Sequence, residues 1–95
     1  MAEVLNDEEI QSRLRRLPWE REGDEIVREW RFDDFNEAVR FVNRVAEVAE
    51  DANHHPDILI HGWNKVKLSL TNHSAGGLTE MDFSMAQRLD GLDAT

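Results

Sequence analysis

The stretch that decides the fold is DDFNEAVRFVNRVAEVAEDA, residues 33–52, which runs straight into NHHPDILIHGW, residues 53–63. The first part reads as a long helix. Asp34 is placed as its N-cap, Glu37 completes a capping box, and apolar residues recur at 35, 38, 42, 45, 46 and 49, widened by Phe41 and Val48. At about 100° per residue the apolar arc covers roughly half the circumference, more than the stripe needed to cover one sheet. A second contact surface is implied. It predicts an oligomer that uses this helix, with a deeper groove inside the chain as the alternative. Pro56 then fixes its own φ and pushes His55 out of the helical region, so the helix stops and DILIH begins as a strand.

Working outward, KVKLSLT alternates Val66, Leu68 and Leu70 with Lys65, Lys67 and Ser69, as a half-buried strand does, and GWN turns between it and DILIH. SAGG reads as a flexible connector. Beyond it Thr79 caps a last helix, with Asp82 at the third helical position, Leu78 placed to staple onto Phe83, and Gly91 at the end. Upstream, LNDEEIQSRLRRL has Asn6 and Glu9 as a capping box, Leu5 to staple onto Ile10, and Ile10, Leu14 and Leu17 at helical spacing before Pro18. WEREGDEIVREWRF reads as a hairpin around Gly23-Asp24, with Ile26, Trp30 and Phe32 on one side of its second strand and Arg28 interrupting them. The order α-β-β-α-β-β-α predicts an α+β fold: a four-stranded antiparallel sheet with three helices packed on one face. One domain over residues 1–95 is expected, since this length supports a single core.

Eleven basic against twenty acidic residues give a formal charge of −9, which weighs against phosphate backbones and anionic membranes as partners. Arg13, Arg15, Arg16 and Arg21 sit among glutamates and read as an ion-laced face. There is no cysteine, so disulfides and thiolate chemistry are excluded. The opening MAEVLNDEEI has no basic, apolar leader, and no apolar run approaches a membrane span, so a cytoplasmic protein is expected.

The candidate chemistry lies in His54, His55 and His73. Zinc could draw on them with Glu50, Asp57 or Asp82, but adjacent histidines on extended backbone point apart and no helical His-x-x-x-His pair is present, so no metal site is expected. Acid–base work is the second possibility: an imidazole with a reference pKa of about 6.5 can donate or accept near neutrality, and Pro56 restrains the pair that precedes it. The third is a plain helix stop, with His54 capping the carbonyls before it. Spacing alone leaves the last two open. His61 has no comparable neighbours and reads as a strand-end surface residue.

Glu50, His54, His55, Pro56, Trp63, His73 and Asp82, with WNKVKLSLTNHSAGGLTEMDF around them, resemble the pterin-4a-carbinolamine dehydratase family from about Ile10 to Leu92. Trp63 stands where that family commonly has tyrosine, and Asn72 where threonine is usual. The resemblance implies dehydration of 4a-hydroxytetrahydropterin to the quinonoid dihydropterin, as a hydro-lyase needing no cofactor. By it, His54 and His73 are the acid–base candidates and His55 the binder and orienter of the pterin, while Glu50, Pro56, Trp63 and Asp82 are substrate-binding. Glu50 could orient an imidazole. Asp82 has the helix-capping role as its plain alternative, and Trp63 could wall a flat ring or be core. The family also implies a dimer or tetramer formed through a sheet edge and the long helix. Two other functions fit the same residues: a noncatalytic interaction module of this fold, and a pterin-handling protein of molybdenum cofactor metabolism.

Overall fold

Local signals begin and end most of the elements seen in the computed structural model, which describes residues 3–94. Asn6 and Glu9 close a reciprocal capping box at the start of α1, Asp7–Leu14. Gly23, at φ +61°, and Asp24 turn the chain between β1, Glu20–Glu22, and β2, Glu25–Arg31. Asp34 caps α2, Phe35–Ala52, by accepting from the Glu37 N–H at 2.8 Å. The expected box is not completed there: the Glu37 carboxylate accepts from the N–H of Asp33, one residue further out, at 3.2 Å. After α2 come β3, Asp57–His61, and β4, Lys65–Leu70, then α3, Glu80–Asp90. Gly91 ends α3 at an ordinary φ of −69° and leads into a 3-10 turn, Gly91–Ala94, so it is not the left-handed stop that a C-terminal glycine often makes.

The strands form one antiparallel sheet in the order β1-β2-β4-β3. Ile26, Arg28 and Trp30 of β2 stand beside Leu70, Leu68 and Val66 of β4, and Ile58 and Ile60 of β3 continue two of those rows. This face carries the core, which Ile10, Phe41, Val45, Phe83 and Leu89 complete from the three helices. Each such side chain taken fully out of water contributes about 1.5–3 kcal/mol. The architecture is therefore α+β, with the helices on one face.

Arg28 on the apolar face has a physical explanation. Its Nη1 lies 2.6 Å from Asp90 Oδ1 at the end of α3, and its guanidinium lies 4.4 Å from the centre of the Trp30 ring. Asp90 Oδ1 also accepts from the Trp19 indole at 2.7 Å. The charge thus ties β2 and the segment before β1 to α3. Trp19, Trp30 and Phe41 pack ring to ring, Trp19 edge-on to Trp30 at 5.7 Å and Trp30 on Phe41 at 4.9 Å.

On α2, Ala38, Phe41, Val45 and Ala49 are buried, and Val48 and Ala52 pack against the core, so the chain itself absorbs much of the wide arc. A narrower seam remains. Phe35 and Ala46 are exposed, Val39 is half-buried, and Val42 is half-buried with part of its surface on the core, spaced four, three and four residues apart.

Candidate active site

The end of α2 is built to project two histidines. Asn53 takes a left-handed conformation, φ 49° and ψ 42°, and its N–H and that of His54 turn back onto the carbonyls of Ala49 and Glu50. Asparagine tolerates this better than most residues. It is the His54 backbone, not its side chain, that satisfies the helix end. The imidazole is thereby released, and Pro56, buried two residues on, leads into β3.

His54 is buried, and its Nε2 lies 2.6 Å from Oδ1 of Asp82, which is fully buried on the first turn of α3. The other oxygen of Asp82 accepts the Thr79 N–H at 2.8 Å and the Thr79 hydroxyl at 3.3 Å. One carboxylate therefore caps α3 and holds His54. An ionised carboxylate only accepts, so with Asp82 ionised the imidazole donates from Nε2, and Nδ1 is the ring nitrogen left over.

His55 is exposed and meets Glu50, its Nε2 lying 2.5 Å from Oε2. Glu50 thus partners His55 rather than His54. His73 is exposed, with no hydrogen bond to its side chain among the described residues. It sits in a turn that is far from loose. Asn72 bridges to Gly77, its carbonyl receives the N–H groups of Ala75, Gly76 and Gly77, and its side-chain oxygen takes the Ala75 N–H a second time. The Asn72 side-chain nitrogen also lies 3.9 Å from Met81 Sδ, which links the turn to the first turn of α3 beside Asp82. Because β4 ends one residue past Ser69, the partner of Asp57, His73 and the 54–56 segment lie at the same end of the sheet.

A groove of about 250 Å³ opens beside His54, lined also by Ala52, Glu80, Met81, Met85 and Arg88. His73 does not line it. Trp63 is at the other end of the molecule. It occupies the β3–β4 turn, and the five residues of β3, at about 3.3 Å each, separate it from His54 and His55 by more than about 15 Å. The residue is 62 % exposed and its φ is +60°. His61, at that end too, pairs with Glu29 across the outer face of the sheet.

Two residues that hold this framework were given no structural role from the sequence. Asn64 is buried and fastens the β3–β4 turn to β2, exchanging hydrogen bonds with the Phe32 backbone at 2.8 and 2.9 Å. Asn72 organises the turn that carries His73. An asparagine two residues past the end of a strand is the signal that could have found it. Among the described residues no group of three or more His, Asp or Glu is placed to hold a metal ion, and no helix is long and apolar enough to cross a membrane.

Residues 3–92 match the family model described as pterin 4 alpha carbinolamine dehydratase. A protein of Thermomicrobium roseum, under a provisional form of the family's name, is 55 % identical over 89 residues, covering 93 % of this chain and 95 % of the relative. A protein of Trichormus variabilis with the same provisional name is 48 % identical over 94 residues, 98 % of this chain and all of the relative. Among solved structures, one described as a transcriptional coactivator/pterin dehydratase from Brucella melitensis superposes with a TM-score of 0.87 at 33 % identity, covering 94 % of this chain and 97 % of that one. A pterin dehydratase-like protein identified as a RuBisCO assembly factor of the alpha-carboxysome shares the fold, with a TM-score of 0.69 at 22 % identity over 84 % of this chain and 94 % of that one.

Proposed function

This chain belongs to the pterin-4a-carbinolamine dehydratase family, and from that membership we propose that it dehydrates a 4a-hydroxytetrahydropterin to the quinonoid dihydropterin. The step would return the pterin cofactor of aromatic amino-acid hydroxylases to use. The observation that carries the reading is the pairing of the family's acidic and histidine positions, His54 with Asp82 and His55 with Glu50, at the end of the sheet that also bears His73.

The reaction breaks the C4a–O bond of the carbinolamine and removes the proton on N5, leaving a C4a=N5 double bond and water. Unassisted, the leaving group is hydroxide, the conjugate base of water with a pKa of about 15.7, so a positioned acid must protonate the oxygen. A base must take the N5 proton. His54 and His73 divide these two tasks, each transfer contributing roughly 10²–10⁴-fold. His54 is held in one orientation and tautomer by Asp82, whereas the His73 side chain, exposed and without a hydrogen-bond partner among the described residues, can turn toward substrate. His55, steadied by Glu50, binds and orients the pterin. No metal or organic cofactor enters the scheme.

The same reading makes the protein a homo-oligomer, a dimer or tetramer. The Phe35, Val39, Val42 and Ala46 seam has the alternating spacing by which two helices interlock. Ile58 and Leu59 are left exposed on β3, an edge strand.

The coactivator half of the Brucella melitensis description favours one other reading, an interaction module that does no chemistry. A dehydration assay separates the two. Chemically generated carbinolamine mixed with the protein in a stopped-flow instrument should lose water well above the buffer rate, and a rate equal to buffer would leave the module as the function.

A further inference from the structure

A flat heterocycle worked on by histidines also needs an apolar surface to rest on. Within one chain Trp63 is too distant to supply it. Phe35 is more distant still, since α2 runs 18 residues between it and the histidines, at about 1.5 Å each. Of the other large apolar side chains exposed among the described residues, Ile58 and Leu59 belong to the edge strand and Val4 lies against Gly77. That leaves Met81, 42 % exposed, which lines the groove on His54.

Met81 touches both halves of the histidine site. On α3 it directly precedes Asp82, whose carboxylate holds His54 at 2.6 Å. On its other side, its Sδ lies 3.9 Å from Nδ2 of Asn72, the residue before His73. The Asn72 side-chain oxygen already accepts the Ala75 N–H at 3.0 Å, so its amide nitrogen is what faces the sulfur. A thioether is a weak acceptor. The contact nonetheless gives a flexible side chain a preferred place, which lessens the rotamer freedom lost when a ring settles on it. Ala52 and the buried Met85 extend the apolar floor behind it.

The rim of the groove indicates the occupant. Arg88 is paired with Asp51 of α2 at 3.0 Å, and Glu80 with Arg13 of α1, so both charges are answered within the chain. The floor they leave carries polarizable sulfur, which favours contact with a neutral, flat π system. A volume of about 250 Å³ falls just under the roughly 300–1,000 Å³ of sites that take drug-sized ligands, the scale of one bicyclic ring.

We propose, resting on the dehydratase reading for the identity of the ring, that Met81 is the wall of the pterin site. The pyrimidinone half of the ring lies on its thioether, with the C4a–N5 edge turned toward His54 and His73. Met81 binds the ring and takes no part in the proton transfers.

The test uses the full chain with isotope-labelled methionine methyl groups and a 7,8-dihydropterin, which has the bicyclic ring and no 4a-hydroxyl. In NMR spectra the Met81 methyl signal, identified by its absence from Met81→Leu, should move upfield under the ring current as dihydropterin is added. A signal that stays in place overturns the proposal. Met81→Gln keeps the length of the side chain and removes its apolar character. It should raise the dihydropterin Kd and the carbinolamine KM roughly three- to tenfold while kcat holds, and Met81→Leu should stay within about twofold of the parent. Both variants should unfold in urea as the parent does, because the side chain is exposed. An unchanged Kd in Met81→Gln, or a fall in kcat with KM unchanged, also overturns it. A parent that shows the methyl shift yet dehydrates nothing keeps the wall and loses the function reading, and a parent that dehydrates with the methyl unmoved does the reverse.

Discussion

His54 and Asp82 are joined across 28 residues of sequence by a buried contact of 2.6 Å between Nε2 and Oδ1. The aspartate's second oxygen caps α3 through Thr79, so the orientation of a candidate catalytic imidazole and the start of a helix depend on one side chain. Asp82→Ala should lower stability by about 1–3 kcal/mol, through the buried imidazole and Thr79 groups it strands, as measured by urea unfolding. Asp82→Asn keeps one carbonyl oxygen for two sets of donors. It should unfold only slightly more easily and yet lose turnover by a factor of ten or more, on the order of one lost hydrogen bond to a charged group. Unchanged turnover in Asp82→Asn would reduce Asp82 to a cap.

The Glu50–His55 contact is at the surface, with both side chains more than half exposed. Glu50→Gln should therefore leave unfolding within about 0.5 kcal/mol of the parent. Its effect belongs in substrate binding, because His55 is the binder: KM should rise while kcat holds. A fall in kcat equal to that of His54→Ala would instead put His55 in the proton transfers.

Asp90 lies outside the histidine site, and its effects should be confined to stability. It receives both Arg28 and the Trp19 indole, and its side chain is 19 % exposed. Asp90→Ala should cost about 1–3 kcal/mol in urea unfolding. Dehydration per folded molecule should not change, and a selective loss of activity would show that α3 transmits more than stability.

The element order was legible because caps and periodicity are local properties: Asn6 with Glu9, Asp34, and Thr79 with Asp82 begin helices where their side chains allow it. Arg28 was opaque because its explanation, Asp90 and Trp30, comes from a partner 62 residues away and a ring on its own strand. SAGG, residues 74–77, read as loose because half of it is glycine, whereas the asparagine before it holds it through hydrogen bonds that composition does not show. The acidic and histidine positions were visible as a spaced set. Which acid meets which imidazole was not, since Glu50 lies four residues from His54 in sequence yet bonds His55 once Asn53 turns left-handed. Trp63 could not be placed from the sequence, because spacing does not say which end of a hairpin faces a site.

The central claim is that unmetallated histidines from the 54–55 and 73 segments expel water from a pterin. Stopped-flow dehydration of 4a-hydroxytetrahydropterin by the parent, His54→Ala and His73→Ala tests it most directly. A parent rate far above buffer, falling roughly 10²–10⁴-fold in each variant, is the predicted result. A parent no faster than buffer, or two variants as fast as the parent, would contradict it.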